Sequence, residues 1–207
     1  MQVRRLTIEN FRGVSAGQVD FCGHTLLVGG NNIGKSTVCE ALDLILGPER
    51  LFRRPVIDEH DFHAGRYLSE ENEPVEITIR AVLTDLSEEA ERRFFRHLRR
   101  WHEPSGQFVD EMGGGPEAAD AEGTVWALPV LFVGRYEREE DDFIGNTFFD
   151  HPVEDSDEEE PAEQKLGGGR KVFGRDQKRL CGFIFLRTLR TGSRALSLQR
   201  GSLLDTI

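Results

Sequence analysis

Lysine is scarce in this 207-residue chain, with only four, at positions 35, 165, 171 and 178. Any motif built around a lysine therefore carries more information than usual. The three cysteines, Cys22, Cys39 and Cys181, are odd in number, lie far apart and form no paired ligand spacing. That excludes a disulfide framework and a zinc ribbon, and it predicts reduced thiols in a cytoplasm. No apolar run approaches the roughly 18 residues a membrane span needs, so no membrane partner is expected. The amino terminus MQVRRLTIENF holds no apolar signal core. The base-reading pattern N-K-x-D is missing as well, which favours ATP over GTP for any nucleotide site.

What is present is a globular composition, 38% hydrophobic and 30% charged, with 14 Phe. This is enough apolar material for a core and excludes a disordered chain. The net charge of −11 hides a segregation. Residues 137–163 carry thirteen acids against Arg138, whereas residues 165–200 carry ten bases against Asp176. An acidic protein of this kind can still present a basic surface. The acidic run 154–163, flanked by Pro152 and Pro161, reads as a solvated loop.

The stretch GGNNIGKST, residues 29–37, fits G-x-x-x-x-G-K-[ST] from Gly29 to Ser36. Before it stands Thr25-Leu26-Leu27-Val28, a continuous apolar run predicted to be a strand buried on both faces. After it, Val38, Ala41, Leu42, Ile45 and Leu46 fall on one helical face. Glycines at 29, 30 and 34 allow the backbone to turn successive N–H groups inward as an anion cradle. In such a P-loop Gly29, Asn31, Asn32 and Gly34 would wrap the phosphates, and Lys35 would reach the β- and γ-phosphates. Ser36 would ligate Mg²⁺ and Thr37 would add a phosphate contact. The bland alternative is a glycine turn that merely precedes a helix.

Farther along, Val75–Arg80 alternates with period two as a half-exposed strand. Ser87 reads as an N-cap for a helix over 88–101, with Phe94, Phe95, Leu98 and Trp101 as a core face, not a base-stacking platform. A glycine-rich connector, 106–123, precedes a strand over 124–136, and 143–149 is expected to pair with it as a hairpin. Asp58-Glu59-His60-Asp61-Phe62-His63 offers carboxylates and imidazoles close together. They would either cap local backbone, sense Mg²⁺ and the γ-phosphate through Asp58 or Asp61, or hold a structural metal. Cys181–Leu186 reads as a returning apolar strand amid arginines that either salt-bridge within the core or contact DNA phosphates.

The combination of LTIENFRG, a second short strand and LLVGGNNIGKSTVCEAL resembles the amino-terminal lobe of ABC-type ATPase heads in RecF-like, SMC-like and OLD-family (overcoming lysogenization defect) proteins. LGPERLFRRPVIDEHDFHAGRYL, residues 46–68, and FIFLRTLRTGSRALSLQRGSLLDTI, residues 183–207, resemble OLD-family ATP-dependent endonucleases in particular. The resemblance implies an α/β P-loop NTPase of ABC/SMC/RecF-like type, an incomplete lobe with a mixed sheet and an antiparallel β subdomain. It implies ATP and Mg²⁺, adenine near Asn10 and Arg12, and Mg²⁺ held by Ser36 with Asp58. It also implies homodimerisation through ATPase heads, DNA contact through 165–200, and a role in DNA repair or phage defence. The expected divisions are a P-loop core segment (1–73), an antiparallel β/α subdomain (74–150), an acidic-to-basic linker (151–175), and a returning strand with the start of a helix (176–207).

The signature motif, an apolar strand ending in Asp-Glu and a Toprim nuclease domain are not visible in the sequence. The chain is thus expected to be an amino-terminal fragment or a truncated reading frame that binds nucleotide and hydrolyses it weakly or not at all. Its rivals are a self-contained P-loop NTPase or kinase, a truncated regulatory protein, and a RecF/SMC-like repair lobe.

Overall fold

In the computed structural model, residues 1–30, 33–48, 55–112, 122–153 and 166–186 are described. Seven strands form one connected sheet: β1 (Gln2–Phe11), β2 (Val14–Asp20), β3 (Ile77–Thr84), β4 (Arg99–His102), β5 (Gln107–Phe108), β6 (Thr124–Glu137) and β7 (Asp142–Phe149). Their order is β2-β1-β3-β6-β4-β5, with β7 also paired to β6. Among the described residues three α-helices accompany them: α1 (Lys35–Leu46), α2 (Glu88–Phe94) and α3 (Arg175–Leu180).

The alternation in the strands explains how the core forms. Ile77, Ile79, Ala81 and Leu83 of β3 and Leu128, Val130 and Phe132 of β6 are buried, as are Leu6 and Ile8 of β1. At period two these side chains share one face of the sheet. Against that face packs α1, whose Val38, Ala41, Leu44, Ile45 and Leu46 belong to the same core. The opposite face has a smaller cluster, where Leu131, Val133, Ile144 and Phe148 lie under Leu166. From there the chain rounds the β7 edge. Phe149 N–H donates to Lys171 O at 2.9 Å and Phe173 N–H to Thr147 O at 2.7 Å. At α3 it reaches the α1 side, where the fully buried Lys178 donates from Nζ to Leu44 O at 3.0 Å.

Several expectations are met. A second short strand ahead of the glycine loop is present as β2, the strand expected at 75–80 is present from Ile77, and the helix after the glycine loop and the β6–β7 hairpin are formed. Ser87 Oγ accepts from Ala90 N–H at 3.3 Å as the α2 cap. The expected segments 1–73 and 74–150 contribute strands to this same sheet.

Other expectations are corrected. Every strand pair among the described residues is antiparallel, so the expected mixed sheet is not observed. Thr25–Val28 is not a strand, and Leu26 and Val28 are 85% and 78% exposed. The run has the right composition, but no strand among the described residues lies alongside to complete a ladder. The expected helix over 88–101 stops at Phe94, passes through a 3-10 turn at 95–97, and gives way to β4. Trp101 is buried as expected, but on a strand, where it pairs with Val125 and meets Phe108 edge-on. Tertiary pairing along β6 outweighs the helical spacing of Phe94, Leu98 and Trp101. Phe95 is 70% exposed and so no part of that core. The returning strand expected at 181–186 is not formed, and the ordered element there is α3 just before it. The acidic run 154–163 and most of the final segment, 187–207, lie outside the described residues.

Candidate functional site

The glycine loop leads directly into α1. Gly29 has φ 153° and Gly34, the residue before the helix, has φ 91°. Both values lie in the region that L side chains avoid, so glycine is needed for the loop to close. A Cβ on Gly29 would also sit 2.1 Å from Ile33 Cδ1. Gly34 brings no side chain to cap the helix, so among the described residues the first-turn N–H groups of α1 have no N-cap side chain at the positive end of the helix dipole.

The ammonium of Lys35 is the centre of this arrangement. Its Nζ donates to Gly29 O at 2.8 Å and also to Gly30 O. The loop thereby curls around a positive charge beside the helix N–H groups, a combination suited to a polyphosphate. Ser36 follows in the same turn, and Thr37 is buried with its Oγ1 facing Gly13. Asn31 and Asn32 lie outside the described residues.

Beside the loop is the two-residue turn Arg12-Gly13 that joins β1 to β2. Arg12 bridges two carboxylates, with Nε donating to Asp61 Oδ1 at 2.8 Å and Nη1 to Glu40 of α1. Its backbone is engaged too: Arg12 N–H donates to Asp61 O at 2.8 Å, and His63 Nδ1 donates to Arg12 O at 2.9 Å. Asn10 donates from Nδ2 to Glu76 O at 3.0 Å.

Asp58 is occupied locally. Its Oδ1 accepts from His60 N–H at 2.8 Å, while Asp61 Oδ2 accepts from Asp58 N–H at 3.2 Å, a reciprocal capping box. No group of three or more His, Cys, Asp or Glu side chains among the described residues is arranged to hold a metal ion. An open cavity of about 480 Å³ lies here, lined by Arg12, Asp58, His60, Asp61, Phe62, Ala64 and Gly65. The structure thus gathers Arg12 and the 58–63 acids at one end of the sheet, next to α1. Sequence reading missed Glu40, which lies 28 residues from Arg12 and belongs to no motif.

The described bases of segment 165–200 are divided. Lys178 is fully buried, Arg170 and Arg175 are half-buried with Arg170 Nε donating to Asp150 Oδ1 at 2.8 Å, and Lys171 and Arg179 are exposed. Cys181, packed nearby in the core, has its thiol pushed up to about 12 by burial.

Comparison with known proteins is consistent with this geometry. Residues 1–99 match the family model of the AAA ATPase domain. A 48-residue stretch is 46% identical to uncharacterized protein Mb1309 of Mycobacterium bovis and to uncharacterized protein Rv1278 of Mycobacterium tuberculosis. That stretch is 22% of this chain and 6% of either relative, so the chain matches only a small part of those proteins. A solved structure from work on ATP-driven dimerization and DNA-stimulated activation of SMC ATPases overlaps 81% of this chain and 76% of its own. Its sequence identity is 13% and its TM-score 0.36, an overlap too loose to define a shared fold. Residues 1–99 are therefore similar to an ATPase domain, and in this chain they contribute to an antiparallel sheet with the helix that follows the glycine loop packed against it.

Proposed function

We propose that this chain is the Mg-ATP-binding lobe of an OLD-type, ABC-like ATPase. The observation that carries this reading is the glycine loop at the α1 amino terminus. Gly29 and Gly34 adopt glycine-only conformations, the first-turn N–H groups have no N-cap side chain, and Lys35 stands over the loop. The residues fit the group they are proposed to hold. Backbone N–H groups of the loop and first turn would bind phosphate oxygens, Lys35 would orient the β- and γ-phosphates, and Ser36 would offer its hydroxyl to Mg²⁺. Bound Mg²⁺ supplies charge neutralisation along the phosphates. Asn31, Asn32 and Thr37 belong to the same proposed shell, and Asn10 flanks the end of the sheet where the base would rest.

Among the described residues no buried strand runs into an Asp-Glu pair. Nucleotide binding with little turnover is the expected behaviour of the isolated chain. Head dimerisation and control of a Toprim DNA nuclease carried elsewhere complete the proposal, resting on the resemblance of residues 46–68 and 183–207 to the OLD family.

Calorimetric titration of the full chain with Mg-ATP, beside Lys35→Ala, tests the reading. The substitution is expected to weaken binding about 100-fold, given the strength of charge-assisted hydrogen bonds. Equal affinity in the two proteins would remove the P-loop assignment. Fast Lys35-dependent turnover would show that a catalytic carboxylate is present in this chain.

A further inference from the structure

Arg12 has a more restricted role than the adjoining loop suggests. Each of its backbone polar groups is paired, and its guanidinium faces two carboxylates. One positive charge against two negative ones leaves the site net negative, a poor environment for a phosphate oxygen. The three side-chain partners lie on two different segments. Asp61 is in the 58–65 loop, with its side chain 5% exposed, and His63 follows it. Glu40 is on α1, four residues beyond Ser36 and so on the same helical face.

The backbone supports the same conclusion. Arg12 has φ 50°, as the first central residue of a two-residue hairpin turn adopts, and the 58–65 loop holds that turn by taking up both the N–H and the C=O of Arg12. An isolated bridge between Phe11 and Phe62 continues the contact. Gly13, the next residue, faces Thr37 in the first turn of α1.

We propose that Arg12 is a positioning residue that clamps the start of α1 to the β1–β2 turn and the 58–65 loop through Glu40 and Asp61. Affinity for Mg-ATP at the glycine loop then depends on this clamp, and Arg12 does not touch the phosphates. The inference rests on the nucleotide-binding reading above. It places Glu40, which no motif marks, among the residues that govern the site.

The test is titration of the full chain with Mg-ATP and Mg-ADP for Arg12→Gln, Glu40→Gln, the double variant and Arg12→Lys, with Lys35→Ala as the control. Thermal midpoints are recorded for each, and titrations are run well below them. A clamp predicts that Arg12→Gln and Glu40→Gln each weaken both nucleotides about tenfold, because misplacing a cradle by a fraction of an ångström is costly. The double variant should bind no more weakly than the poorer single variant, since both changes open one clamp. Arg12→Lys should recover part of the loss. Glu40→Gln is nearly isosteric and its site is 31% exposed, so it folds and carries the test even where Arg12→Gln does not. Unchanged or tighter binding by Glu40→Gln would overturn the clamp, because freeing the guanidinium helps a phosphate ligand and harms a positioning residue. Absence of Lys35-dependent binding in the parent chain would instead reject the nucleotide site itself, a distinct result that removes the clamp with it.

Discussion

Two apolar runs of similar composition have opposite fates in this molecule. In β6, Leu128 and Val130–Val133 are all buried, with β3 on one side and β7 on the other. In Thr25–Val28, Leu26 and Val28 face solvent and no strand forms. Both satisfy the pattern of a strand buried on two faces. What separates them is a partner, because an extended backbone gains its ladder only when another edge is present to supply it. Apolar sequence qualifies a segment for the sheet, and topology decides whether it is admitted.

The sharpest way to press the comparison is to cut a side chain from the admitted run. Phe132→Ala empties a site at 1% exposure and is expected to cost about 3–5 kcal/mol, read from denaturant unfolding. Stability within experimental error of the parent would mean that the β6 face is not the core described above.

Next in size is Lys178→Ala. It removes a fully buried ammonium from the carbonyl of Leu44 at the carboxyl-terminal end of α1, and about 2–3 kcal/mol should be lost. Lys178→Met, which keeps the volume, should lose less. Equal losses would show that the ammonium and its hydrogen bond to Leu44, and not the volume of the side chain, hold segment 166–186 in place.

Gly29→Ala moves the comparison to the loop that follows the unpaired run. The clash with Ile33 is with the far end of an exposed side chain and is easily relieved, but φ 153° remains unfavourable for alanine. We expect the loop of the free variant to relax out of the binding geometry, so that about 1 kcal/mol of strain is met only on binding, Mg-ATP affinity falls several-fold and the unfolding midpoint is unchanged. Titration of Gly29→Ala/Ile33→Ala should show the loss persisting, which separates backbone strain from the clash.

Thiol labelling compares the same two environments chemically. At pH 8 exposed Cys22 should react within minutes while Cys181 is protected until the chain unfolds. Burial raises the Cys181 thiol from an ordinary 9.0 to about 12, so the folded state favours the protonated form. Its contribution to stability is complete below pH 9 and is lost as pH rises toward 12, since the unfolded thiol ionises first. The smallest effect belongs to Leu26→Ser, expected to change stability by less than about 0.5 kcal/mol. A larger loss in urea melts would mean that Leu26 is packed after all, as its neighbour Leu27 partly is.

How much was readable in advance differed from one element to another. The α1 helix was legible because its apolar spacing is local and a glycine loop marks its start. The β6–β7 hairpin was legible because its strands are close in sequence and alternate, and Ser87 because an N-cap acts three residues away. The helix over 88–101 was misread beyond Phe94, since nothing within that window reveals that 99–102 pairs with 124–127. The site divides in the same way. Gly29, Gly34 and Lys35 can be named from spacing alone, whereas Arg12 finds Glu40 and Asp61 at separations of 28 and 49 residues.

By itself, then, the sequence determined the features that short-range physics governs: the glycine conformations of the loop, the amphipathic helix behind it, the caps and the hairpin. Tertiary structure alone decided which apolar runs became strands, which bases of the basic segment were buried, and which carboxylates Arg12 would bridge. Those outcomes depend on edges and charges brought together across long stretches of chain, and a local pattern contains no record of what will lie beside it.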